Sequence, residues 1–310
     1  MVENIYDEIS VNESERPKAM FPVALSNSRT ATKSIQSPPP FPSRYPSEYP
    51  PRLYPQQKQC SGNSDEYEND DLVFDPSRHL HYPLQIPPNI HLLEQENGSS
   101  DTIKLVKVPS SQKRKPNAED LAYTEPFRVL SDEGVEAFRT IITTSEEQGM
   151  AIETPRNPKI IRGLGFTSKF VQDFNESPEL LHHLSTFANV PIAAHPTTTH
   201  YSQINFGNPP KEDETEAKPA DIWHLDSVDY VLVVMLTDGF EGGELLVSNM
   251  DPNLSMECIQ KDALPPESIL KNIYDKPGYG IFMQGCRIAH SVAPVLSGST
   301  RITAVNSYVS

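Results

Sequence analysis

The chain has 310 residues, 36% of them apolar and 30 of them proline, about twice the usual proline share of roughly 5%. Fourteen prolines fall in the first 100 residues, so the remainder has near-normal composition and is long enough for one well-buried core. A net charge of −16 disfavours nucleic acid and anionic membrane surfaces, which need clustered Lys and Arg, and no run approaches the roughly 18 apolar residues of a membrane span.

The N-terminus, Met1-Val2-Glu3-Asn4-Ile5-Tyr6-Asp7-Glu8, is acidic where an export signal is basic and then apolar. Cys60, Cys258 and Cys286 offer neither a disulfide framework nor CxxC spacing. A cytoplasmic protein is expected. From residue 1 to 71 no amphipathic period persists, and the stretch 37–57 includes Tyr-Pro steps at Tyr45, Tyr49 and Tyr54. This reads as a disordered, Pro-rich tail. Lys113-Arg114-Lys115 reads as a solvated loop, and the segment with Pro83, Pro87 and Pro88 as an extended arm.

Two helices are predicted. Ser131 caps the first, where Asp132 and Glu133 precede Val135, Phe138, Ile141 and Ile142 at helical spacing, to about Glu147. Ser177 caps the second, with Pro178 at its first position and Leu180, Leu181, Leu184 and Phe187 following. After Thr197 short β-rich runs take over: 200–206, 223–228, 231–236, 244–248, 280–283, 288–292 and 301–309. Such spacing suggests an antiparallel sandwich or barrel. An acidic loop, 211–219, and an insertion with Pro265 and Pro266 interrupt them.

The segment Trp223-His224-Leu225-Asp226 carries the chemistry. On a strand, His224 and Asp226 project to one face, about 6.5–7 Å apart, so both can reach one metal ion. His290, 64 residues after Asp226, offers a third ligand. Two histidines and one carboxylate leave coordination positions open, as suits non-heme Fe(II). Arg301 lies 11 residues after His290 and shares a strand face with Thr303, so a guanidinium and a hydroxyl can grip one carboxylate. Arg162, in the loop Arg162-Gly163-Leu164-Gly165-Phe166, is a candidate contact for an anionic substrate.

With Phe240-Glu241-Gly242-Gly243-Glu244-Leu245 upstream of His290, the stretch from about Tyr201 to Val309 resembles the Fe(II)/2-oxoglutarate-dependent dioxygenases. Their motif is His-x-Asp, a distal His, then Arg and a Ser or Thr two positions on, matched by His224, Asp226, His290, Arg301 and Thr303. The resemblance implies a mainly β fold with flanking helices and a double-stranded β-helix, or jelly-roll, core at 197–310. Residues 72–196, more loosely similar to fungal small-molecule members, would be its helical and extended support. It implies Fe(II) on the triad, 2-oxoglutarate held by Arg301 and Thr303, and O2 as oxidant. Tyr201, Gln203 and Asn205 share a strand face, and Tyr201 and Asn205 are assigned to the cosubstrate. Asp226 departs from the small residue of the family's halogenating members.

The expected activity is oxidation of a small molecule such as an amino acid or secondary metabolite, by hydroxylation, desaturation or cyclisation. The Gly-Gly-Glu-Leu run resembles the prolyl-hydroxylase branch and keeps a peptidyl hydroxylase as an alternative. A non-catalytic jelly-roll binding protein is another. A zinc cupin fits less well, since cupins favour His-x-His. A nucleic-acid demethylase is disfavoured by Ser307, where that branch has a second arginine, and by the charge. No nucleic-acid or membrane partner is expected, and oligomeric state is left open.

Overall fold

The computed structural model describes residues 72–95, 103–112, 121–197, 202–211 and 217–310. The Pro-rich tail, Lys113-Arg114-Lys115, Tyr201 and residues 212–216 of the acidic loop lie outside the described residues. Among the described residues no helix is long and apolar enough to cross a membrane.

A short helix, α1 (Pro76–His79), leads through the proline arm to the antiparallel pair β1 (Asn89–Gln95) and β2 (Ile103–Pro109), then to β3 (Leu121–Thr124) and β4 (Phe127–Arg128). Helix α2 (Asp132–Glu147) starts where the Ser131 hydroxyl accepts the Gly134 N–H at 2.9 Å, and it buries Val135, Phe138, Ile141 and Ile142 as its periodicity predicts. Next come β5 (Lys159–Ile161), α3 (Leu164–Thr167), α4 (Lys169–Asn175), α5 (Pro178–Ala188) and β6 (Ala193–Ala194). Ser177 caps α5, and Asn189, at φ 60°, closes it in the left-handed conformation that Asn tolerates.

The C-terminal part runs β7 (Gln203–Gly207), β8 (Pro219–His224), β9 (Tyr230–Met235), β10 (Phe240–Gly242), β11 (Leu245–Ser248), α6 (Pro252–Gln260), β12 (Ile269–Asn272), β13 (Tyr279–Met283), β14 (His290–Gly298) and β15 (Arg301–Val309). In one sheet the order β13-β9-β15-β7 forms the centre; in the other, β8-β14-β11-β12. Successive strands thus cross between two antiparallel sheets, the winding of a jelly roll. The larger sheet is extended to ten strands by β3, β1 and β2 on one side and β5 on the other, with β4 also pairing with β13 and β6 with β15.

Strand β9 shows how the layers meet. Tyr230, Leu232 and Val234 join the core under the helices, while Val231 and Met235 join the core between the sheets. A strand covered on both faces reads as an unbroken apolar run. Strand β15 divides more sharply: Ala304 and Tyr308 pack towards the helices, whereas Arg301, Thr303, Val305 and Ser307 line the cavity between the sheets.

Two predicted strands are displaced. The run at 223–228 is a strand only to His224, the strand itself beginning at Pro219, and Leu225 to Asp229 make a turn. The run at 288–292 begins at His290 but continues to Gly298.

Candidate metal centre

His224 ends β8 and His290 begins β14, and the two are register partners in that antiparallel pair. Their rings lie 4.1 Å apart between centroids. Asp226 sits one step into the turn after β8, where its N–H donates to the Gly285 carbonyl at 3.0 Å. The carboxylate reaches His224 Nε2 at 3.3 Å and His290 Nε2 at 3.6 Å, through its two different oxygens. All three ligand atoms fall within 4.8 Å of one another. The spacing His-x-Asp therefore works through a strand end and a turn, not through strand alternation.

Both imidazoles are held in the tautomer a metal requires. Nδ1 of His224 lies 2.7 Å from the Ile222 carbonyl, and Nδ1 of His290 lies 3.0 Å from that of Ile288. Each Nδ1 must donate there, which leaves the Nε2 lone pair directed at the shared point. Burial pushes the His290 imidazole below its ordinary value, outweighing the pull of Asp226. Burial pushes the Asp226 carboxyl up, but His290, His224 and Arg156 outweigh that and hold it at about 2. Two imidazole nitrogens and one carboxylate are a donor set for a divalent transition metal with positions to spare. Space is reserved for it at Gly285, where a Cβ would collide with the Asp226 carboxylate and come 3.0 Å from His290 Cε1.

A cavity of about 330 Å³ is lined by Asp226 and His290 of this triad and by Arg301, Thr303 and Asn205. Arg301 is only 2% exposed. One Nη donates to the Tyr274 hydroxyl at 3.1 Å, the other to Thr303 Oγ1 at 3.5 Å, and Nε has no acceptor. Among the described residues no carboxylate pairs with it. The glycine run explains how the arginine fits: a Cβ on Gly243, at φ +70°, would lie 2.6 Å from Arg301 Cδ. Gln203 and Asn205 face the cavity from β7, bonded to each other at 2.5 Å. Arg162 is exposed and also borders the cavity. Of the candidate site residues singled out in the sequence, only Tyr201 lies outside the described residues.

Three further residues were not legible. Tyr274 is buried behind Arg301 in the segment following β12. Asp221, on β8, accepts Arg156 Nε at 2.6 Å and Nη2 at 2.9 Å. The same Nη2 lies 2.5 Å from His224 Nε2 and 3.8 Å from Asp226. Arg156 comes from the loop before β5, 68 residues from His224, and no local spacing connects them.

No protein family profile and no curated protein sequence matches the chain. Among solved structures, the non-heme alpha-ketoglutarate-dependent epimerase SnoN from nogalamycin biosynthesis is 13% identical, with a TM-score of 0.48 over 61% of this chain and 78% of its own. The non-heme alpha-ketoglutarate-dependent carbocyclase SnoK from the same biosynthesis is 16% identical, with a TM-score of 0.46 over 60% and 79%. EctD from S. alaskensis with bound Fe is 14% identical, with a TM-score of 0.47 over 73% and 83%.

Proposed function

We propose that residues 72–310 form an Fe(II)- and 2-oxoglutarate-dependent dioxygenase domain that oxidises a small molecule. The observation that carries this reading is one cavity lined both by Asp226 and His290 of the His224–Asp226–His290 triad and by a buried arginine whose Nε lacks an acceptor. A guanidinium buried without an anion is costly, and a dicarboxylate whose far end meets Arg301 and Thr303 relieves that cost. When bound, iron and 2-oxoglutarate supply oxidising chemistry in which O2, the oxo acid and a substrate C–H yield succinate, carbon dioxide and a hydroxylated product. The chain contributes the two Nε2 lone pairs, the Asp226 carboxylate, and a fork that fixes the cosubstrate. A cavity of about 330 Å³ is at the small end of sites for small molecules, about 300–1,000 Å³.

Anaerobic addition of Fe(II) and 2-oxoglutarate should give a visible charge-transfer band, and aerobic incubation should release succinate. His224→Ala should abolish both. A wild-type protein that shows neither the band nor succinate overturns the proposal.

A further inference from the structure

We infer that the primary substrate is a small carboxylic acid and that Arg156 is its anchor, a specificity-determining residue beside the metal triad. The inference rests on the oxygenase reading and adds the substrate class to it.

Arg156 is built into place. Its loop is pinned by the Thr154 N–H to the Asn157 carbonyl at 3.0 Å, and by Asn157 Nδ2 to the Ala220 carbonyl of β8 at 3.1 Å. Asp221, whose side chain is 6% exposed, takes Nε and Nη2 in a fork-to-fork pair. The Arg156 side chain is 39% exposed and borders the cavity, and Nη1 has no acceptor among the described residues. Nη2 shares the His224 Nε2 lone pair that a metal ion would use, so metal ligation turns this N–H towards another acceptor.

Charge selects that acceptor. The cavity lining has three guanidinium groups, Arg156, Arg162 and Arg301, against two carboxylates, Asp221 and Asp226. A divalent metal and a dianionic cosubstrate cancel each other, which leaves one positive charge in surplus. In a chain of net charge −16, that local surplus favours an anion at the triad's edge. A carboxylate there meets Arg156 bidentately, with Arg162 at the exposed rim.

The test uses the full chain loaded with Ni(II) and saturated with 2-oxoglutarate, so that no turnover occurs. Hexanoate, 3-phenylpropanoate and their amides are titrated by ligand-observed NMR. At least one acid should bind about tenfold tighter than its amide. Arg156→Gln should erase that preference, and Arg156→Lys should keep part of it. Because Arg156→Gln leaves Asp221 buried with a weaker partner, the Arg156→Gln/Asp221→Asn pair supplies a second reading if the single variant does not fold. Acids that fail to bind, amides that bind equally well, or a loss that falls as heavily on 2-oxoglutarate all overturn the inference. Binding of 2-oxoglutarate to the Ni(II) protein is measured first, and its failure counts against the oxygenase reading instead.

Discussion

Arg301 is the side chain with the most to lose. It is a permanent charge, 2% exposed, and two hydroxyls are its hydrogen-bond acceptors among the described residues. Hydrogen bonds to a charged group are worth about 1.5–3 kcal/mol, so Tyr274→Phe should raise the 2-oxoglutarate concentration for half-maximal succinate release by about tenfold or more. Arg301→Lys, which keeps the charge but loses the planar fork, should raise it further. Both should leave the rate at saturating 2-oxoglutarate closer to wild type than the half-saturation value; an unchanged half-saturation value in both variants would remove Arg301 from the cosubstrate site. The same residues show what a sequence can reveal. Thr303 follows Arg301 by two positions on one strand, which converts that spacing directly into shared direction, whereas Asp226 follows His224 across a strand end and a turn. Tyr274 and Arg156 reach the site from loops, and only the folded chain brings them there.

At the scale of elements, the triad depends on a strand pairing and the pairing depends on layers. Register places His224 opposite His290, and the helices cover the outer face of the larger sheet. Phe138 of α2 is fully buried, edge-on to Phe170 at 5.6 Å and to Phe174 at 5.1 Å, both in α4. Truncating a buried phenylalanine to alanine costs about 3–5 kcal/mol. Phe138→Ala should lose that much in denaturant unfolding while retaining metal stoichiometry when folded, since Phe138 is not among the residues that line the cavity. A loss below about 1 kcal/mol would mean that the aromatic cluster is not what holds the helical layer. Helices α2 and α5 were legible because cap and apolar stripe agree. Helix α6 carries a good cap, with Asp251 accepting from Asn253 and Leu254, yet buries only Ser255, so no stripe marks it. Strand β12 ends the smaller sheet half-buried, without the alternation that identifies a strand.

For the whole molecule, acidity and buried histidines pull stability in opposite directions as pH falls. Lowering pH towards the isoelectric point near 5.0 reduces the self-repulsion of a chain at −16 and so favours the compact state. Burial, however, holds the imidazoles of His79 and His91 below their ordinary value. Nδ1 of His79 also accepts the Asp75 N–H at 2.9 Å, a role open only to the unprotonated ring. Below about pH 6.5 the unfolded chain therefore takes up protons that the folded chain does not. Stability from these two residues is fully present above that pH and is lost as pH falls through their lowered folded values. Salt of about 0.5 M screens the self-repulsion and leaves the histidine contribution exposed. In such salt the unfolding midpoint should drop between about pH 7.5 and pH 5.5. His91→Phe, which keeps a ring stacked on Tyr123 where the imidazole now lies 4.1 Å away, should make that drop shallower. An equally steep drop in the variant would place the pH dependence elsewhere than on His91.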